Sequence, residues 1–285
     1  MSPSPVAPRR SRTSARLAAV LVPTTLLASG CSARDAYENG LSLGFPKPVT
    51  EEAEEIYRLW LGSVAAATVV GVAVSLMIIF AMVRYRKTGD QLPRQVRYNL
   101  PVEVLYTAIP FVIIAVLFYY TTVTQNFVNE EDEGGADVTI GVVGFQWNWT
   151  FRHEEQGVQV TGQPGQPAQL VLPIGQRIRF VETSPDVIHS FWVPKFLFKR
   201  DVVPGRENVF EITITKEGTY IGRCAELCGE KHSAMNFSVK AVSAQAYDDY
   251  VAQLERDPAN KILGPAAGAV RTAEEAAEQI DGRRE

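Results

Sequence analysis

Two long uncharged runs dominate the first half of the chain. Residues 59–83 and 104–129 contain no charged side chain over 25 and 26 positions, and about 20 apolar residues suffice for a helix to cross a bilayer. The pattern predicts two membrane-spanning helices, 59–83 and 100–128, joined by a polar loop at 84–99. Beyond Asp137 it changes to short runs rich in β-branched and aromatic residues: 138–143, 146–151, 169–172, 177–182, 208–214 and 218–223. Gly and Pro punctuate them at the spacing of an antiparallel sandwich, predicted here over 137–242. Residues 244–254 then read as an amphipathic helix, and an Ala/Glu-rich tail from Pro258 to residue 285 is expected to be mobile.

The start of the chain has a separate pattern. Arg9, Arg10, Arg12 and Arg16 precede an apolar run from Leu17 to Leu27, then Ala28-Ser29-Gly30-Cys31. That run is too short to span a membrane, and small residues before a cysteine suit lipoprotein processing, so 1–30 reads as a signal peptide and Cys31 as the lipidated mature terminus. The pair Arg9-Arg10 also permits twin-arginine export. Residues 31–58 would form an exported segment.

Charge supplies the orientation. Arg84, Arg86, Lys87, Arg94 and Arg97 face a single acid, Asp90, in the loop, whereas residues 130–137 carry five acids and no base. The positive-inside rule puts the loop in the cytoplasm and the β-rich part outside. The net charge of -4 leaves no basic footprint for nucleic acid. From residue 129 onward 24 acids outnumber 16 bases, which fits either a basic partner or a merely solvated acidic surface.

Three cysteines are too few for a disulfide scaffold, yet two of them sit in an informative stretch. Cys224 and Cys228 are followed by His232 and Met235, and His189 lies 35 residues before Cys224. A thiolate, two imidazoles and a thioether on neighbouring loops of a β-sandwich are the donors of a copper electron-transfer site. A second thiolate lets two ions be bridged, one histidine to each, with Met235 on one ion and the Glu226 carbonyl placed for the other. A Cys224–Cys228 disulfide and a Cys2His2 zinc site compete with this reading, but zinc leaves Met235 without a role. His153, following the aromatic strand and without such company, reads as a surface histidine.

His189-Ser190-Phe191-Trp192-Val193-Pro194, followed by Cys-x-Glu-x-Cys-Gly-x-x-His-Ser-x-Met, resembles the binuclear copper A loop of cytochrome c oxidase subunit II. The resemblance extends over residues 45–242 and implies a two-helix transmembrane hairpin followed by an all-β cupredoxin-like Greek-key sandwich. It implies copper A ligands His189, Cys224, Glu226 by its carbonyl, Cys228, His232 and Met235. The Glu226 carboxylate would contribute to a magnesium or manganese site shared with subunit I. Gln146-Trp147-Asn148-Trp149 is similar to the family's aromatic strand, which makes Trp147 the residue receiving electrons from a c-type cytochrome and leaves Trp149 to the core. Pro101 to Thr107 resembles the helix start carrying the glutamate at a proton-channel entrance, here Glu103; an interfacial charge reaching for water is the alternative. Asp186 matches an acidic docking position, although Pro185 replaces the acid usual before it.

The implied function is that of the subunit through which electrons reach a proton-pumping oxidase: copper A passes them to haem in subunit I, where oxygen becomes water. Other oxidase subunits and the membrane would be partners, with the copper domain on the outer face. A copper chaperone with Cys-x3-Cys is disfavoured by Gly229 after the second cysteine and by the upstream His189. A quinol oxidase subunit would lack the copper ligands, and a nitrous-oxide reductase would need a large additional domain.

Overall fold

The computed structural model describes residues 44–92, 95–131, 135–163 and 165–262. The segment 1–30 expected to be a signal peptide, the expected lipidation position Cys31 and the tail beyond residue 262 lie outside the described residues.

Helix α1 (Glu51–Arg84) begins where the Thr50 hydroxyl accepts the Ala53 amide at 3.0 Å, and Glu51, Glu52 and Glu54 crowd its first turn. Those carboxylates suit the partial positive charge of a helix start. Its 34 residues amount to about 51 Å. That is more than a bilayer needs, and the surplus is the polar segment before residue 59, which carries the helix to the β-domain. Helix α2 (Leu100–Val128) has Pro101 in its first turn, where a missing amide costs nothing. Glu103 Oε1 accepts the backbone amide of Asn99 at 3.0 Å, closing the open end of the helix. The apolar windows of α1 and α2 have mean hydropathies of 2.5 and 2.2, long and apolar enough to cross a membrane.

Ten strands follow: β1 (Val138–Phe145), β2 (Asn148–His153), β3 (Val158–Thr161), β4 (Gln169–Pro173), β5 (Arg177–Thr183), β6 (His189–Val193), β7 (Phe198–Val202), β8 (Asn208–Thr213), β9 (Gly218–Cys224) and β10 (Asn236–Val242). They make two five-stranded sheets, ordered β3-β2-β1-β5-β8 and β4-β10-β9-β6-β7. The sandwich is not wholly antiparallel as expected, because β1 pairs β5 and β10 pairs β4 in parallel. Neither parallel pair is joined by a hairpin: between its two strands the chain leaves the sheet and returns, the crossover that parallel neighbours require.

Between the sheets lies an aromatic core. Phe180 stacks on Phe210 at 4.7 Å and Phe191 on Phe237 at 4.8 Å, with Trp149 and Phe151 edge-on to Phe191 and Phe237. Each such pair adds about 0.5–1.5 kcal/mol beyond burial. Trp149 is fully buried, as its core reading requires.

Two local expectations are corrected. Residues 146–147 are not strand: Phe145 pairs with Asn148, so Gln146 and Trp147 form the two-residue tip of the β1–β2 hairpin. His153 is not a surface residue but fully buried, its Nδ1 3.0 Å from the Tyr247 hydroxyl of helix α3 (Ala244–Glu255). Trp149, Phe151 and His153 alternate on the inward face of β2. The start of the tail is also held, since Lys261 bridges Val158 and the Ile262 amide donates to Gly157 at 3.0 Å.

Candidate metal centre

The five side chains singled out by spacing converge at one end of the second sheet. β6 supplies His189 at its first residue, β9 ends on Cys224, and the β9–β10 connection carries Cys228, His232 and Met235. Backbone bonds hold the loop shut: Cys224 N–H donates to Met235 O at 3.0 Å and Ala225 N–H to Ser190 O at 3.1 Å.

The two sulfurs stand 3.8 Å apart, and Cys224 and Cys228 are free thiols; a disulfide would need about 2.0 Å. Cys224 Sγ lies 3.9 Å from His189 Nδ1 and 3.2 Å from the Glu226 carbonyl. Cys228 Sγ lies 3.6 Å from His232 Nδ1 and 3.7 Å from Met235 Sδ. With metal–sulfur bonds of about 2.3 Å and metal–nitrogen bonds of about 2.0 Å, donors sharing one tetrahedral ion stand about 3.5–3.8 Å apart. The spacing therefore suits ions seated between the groups. One half offers sulfur, nitrogen and a carbonyl; the other offers sulfur, nitrogen and a thioether. Thiolates suit copper and zinc and disfavour magnesium, and the added thioether favours copper over zinc. His189, Cys224 and Cys228 are all buried, and their ligating atoms lie within 4.8 Å of one another.

Electrostatics at the site are uneven. Burial pushes both thiols up, but hydrogen bonds from His189 and the backbone bring Cys224 below the ordinary thiol range. The neighbouring Cys224 charge then raises Cys228 further. One thiolate is thus available near neutral pH, and the second is held as thiol until a cation replaces its proton. Burial opposes charge on His189, yet contacts with Cys224 and Asp186 outweigh it and raise its pKa.

Asp186 is committed to this arrangement. Its Oδ1 lies 2.9 Å from His189 Nε2 and accepts the Val187 amide at 2.6 Å, while Oδ2 accepts the Gln146 amide at 2.7 Å. A carboxylate on Nε2 leaves Nδ1, the atom facing Cys224, as the lone-pair donor. The family resemblance assigned Asp186 to docking and carried no sign of this contact.

Trp147, half-buried at the hairpin tip, donates from Nε1 to the Cys228 carbonyl at 3.1 Å, and Gln146 Nε2 donates to the same oxygen at 2.8 Å. Gly229, at φ +120, lets the loop pass beneath: a Cβ there would come 3.2 Å from the Trp147 ring. Lys231 Nζ sits 5.7 Å over that ring. Gly144 is equally constrained, since a Cβ would meet Trp149 at 3.1 Å and His189 at 3.3 Å. Gln146, Gly144 and Lys231 were not legible as site residues, because only the hairpin fold brings them there. Glu226 is half-buried on the loop, and Glu103 lies on α2, apart from the metal loop in sequence and serving as a helix cap.

Known proteins bear on this geometry. Residues 38–122 match the transmembrane domain and residues 165–242 the periplasmic domain of cytochrome c oxidase subunit II. A probable cytochrome c oxidase subunit 2 of Streptomyces coelicolor is 41% identical, covering 89% of this chain and 90% of that protein. The cytochrome c oxidase subunit 2 of Mycobacterium bovis is 36% identical over 86% of this chain and 83% of that one. The crystal structure of the periplasmic domain of subunit II of cytochrome oxidase from Bradyrhizobium japonicum shares 32% identity, covers 42% of this chain and 95% of its own, and superposes with a TM-score of 0.40. Two apolar helices, a β-sandwich, a cluster of soft donors and full-length relatives agree: the chain belongs to the cytochrome c oxidase subunit II family.

Proposed function

We propose that this chain receives electrons from a c-type cytochrome and passes them to haem in subunit I, where oxygen is reduced to water and protons are pumped. The observation that carries the reading is the convergence of two thiols, two Nδ1 atoms, a thioether and a carbonyl at separations suited to two shared ions. His189, Cys224, Glu226 through its carbonyl, Cys228, His232 and Met235 would hold binuclear copper A. When bound, that copper supplies a one-electron site whose charge is shared between two ions.

The remaining work falls to the chain itself. Trp147 offers an indole at the rim, tied through one hydrogen bond to the backbone of a ligand cysteine. Asp186 orients His189, and the buried positions of Cys224, Cys228 and Met235 keep water from the sulfurs. The Glu226 carboxylate is assigned to a magnesium or manganese ion at the boundary with subunit I, because hard cations prefer carboxylate oxygen. Glu103, on the first turn of α2, is assigned to the proton entrance. The positive loop between the helices supports a cytoplasmic hairpin turn, an outer metal domain and, with it, lipid attachment at Cys31.

Electron paramagnetic resonance of the copper-loaded full chain in detergent tests the reading. One unpaired electron spread over two copper nuclei is expected, and Cys228→Ser should abolish that signal because a hydroxyl is a poor bridge between soft ions. A mononuclear spectrum from the unaltered chain would refute the proposal.

A further inference from the structure

The tip of the β1–β2 hairpin presents Trp147, but its other residue reaches further. The backbone amide of Gln146 donates to Asp186 Oδ2 at 2.7 Å, on the β5–β6 turn, and its side-chain Nε2 donates to the Cys228 carbonyl at 2.8 Å, on the β9–β10 connection. These partners lie 40 and 82 residues away, so only the folded sandwich brings them to one residue. Asp186 in turn holds His189 by Nε2. Cys228 serves the other half of the site, its sulfur 3.6 Å from His232 Nδ1 and 3.7 Å from Met235 Sδ. Gln146 therefore touches a support of each half.

The two contacts differ in what carries them. The bond to Asp186 uses the main chain and survives a change of side chain, whereas the bond to Cys228 needs the length of the glutamine and its N–H. That carbonyl also accepts from Trp147 Nε1 at 3.1 Å, and its two lone pairs can take both donors. Gly229 leaves room for the pair: a Cβ there would stand 3.2 Å from Gln146 Nε2 and 3.2 Å from the indole. Gln146 is exposed, so water can replace its side chain as a donor and the bond adds little to the stability of the fold. Water does not supply a donor of fixed direction. Two N–H dipoles aimed at the peptide of a buried cysteine place partial positive charge beside its sulfur, and dipoles fixed in advance favour the state that carries the extra electron.

We propose that Gln146 is a positioning residue for copper A: acting through the Cys228 carbonyl, it holds the cysteine loop in register with Trp147 and raises the reduction potential of the centre. This rests on the function proposed above. Because Trp147 shares the oxygen, one acceptor fixes the indole and the ligand peptide relative to each other.

The test is a redox titration of the copper-loaded full chain in detergent, followed by the binuclear paramagnetic resonance signal. Gln146→Met keeps the length of the side chain and removes the donor. Copper content and the two-copper hyperfine pattern should persist, while the equilibrium constant for reduction falls about three- to tenfold, tenfold being about 59 mV for one electron. Gln146→Lys restores a donor on a flexible stem and should return the potential to the wild-type value or above it, since its charge also favours the added electron. An unchanged potential in Gln146→Met would overturn the proposal. An equal fall in both variants would overturn it too, by assigning the effect to packing at the tip. Either result with a normal binuclear signal defeats this inference alone; if the unaltered chain shows no binuclear signal, the functional reading fails first and the inference falls with it.

Discussion

At the scale of single residues, the centre depends on a group that holds no metal. The Asp186 carboxylate, 2.9 Å from His189 Nε2, selects the tautomer and fixes the ring plane that presents Nδ1 to the sulfurs. Partners of this kind are commonly worth about 10–100-fold in metal affinity. Asp186→Ala should therefore weaken copper retention by that factor in competition with a chelator, while Asp186→Asn, whose amide oxygen can still accept from Nε2, should keep most of it. Equal retention in both variants would leave Asp186 with no orienting role. The donor cluster was legible, because Cys-x3-Cys-x3-His-x2-Met packs four metal-binding side chains onto one short loop whose chemistry needs no tertiary context. The full setting of Asp186 was not, since its bond to the Gln146 amide forms only when the β1–β2 hairpin tip folds beside it.

Among the elements, the membrane helices followed from length and the absence of charge, and α3 from its amphipathic period, whereas the sheets were only partly readable. β10 lies directly behind the metal loop, whose loop-like composition hides its start, and β7 mixes Lys199, Arg200 and Asp201 into a strand that fully buries only Val202. Trp147 made the hairpin tip look like strand because aromatic side chains favour strands. His153 is the instructive miss. The alternation Trp149, Phe151, His153 already implied an inward histidine, and in the fold it joins β2 to α3 through Tyr247. Burial pulls its pKa from 6.5 to about 4. The folded state therefore binds fewer protons than the unfolded state between those values, and stability contributed by neutral His153 is lost as pH falls from about 6.5 to about 4. Complete loss would amount to about 3 kcal/mol. Thermal unfolding of the copper-loaded chain across this window should slope less steeply in His153→Phe than in wild type; parallel slopes would mean that His153 is not the titrating group.

For the whole molecule, the question is how a metal domain is held in a fixed attitude to two helices that lack a buried core of their own. The joint is ionic. Glu52, in the first turn of α1, is buried, accepts the Thr213 amide of β8 at 3.1 Å and lies 3.6 Å from the Arg177 guanidinium of β5. Arg177 also binds buried Glu211 at 2.9 Å and donates to the Glu130 carbonyl, just past α2, at 2.8 Å. Arg179 extends the network from Glu211 to Glu131. Arg177 is therefore the common partner of both helices and the first sheet. Replacing it strands carboxylates in a low-dielectric site, which costs about 3–5 kcal/mol when one member of a buried pair is removed. Glu52 differs: burial raises its pKa, and an amide oxygen could still accept from Thr213. Arg177→Met should lower the unfolding temperature of the copper-loaded chain substantially, while Glu52→Gln should stay within about 1 kcal/mol of wild type. The same Arg177→Met chain, assembled with its partners, should keep its copper signal yet pass electrons onward more slowly, because the joint orients the centre rather than building it. Unfolding curves for the two variants and wild type, read together with onward transfer at one temperature, decide the matter; equal destabilisation by both substitutions would mean that the joint does not run through Arg177.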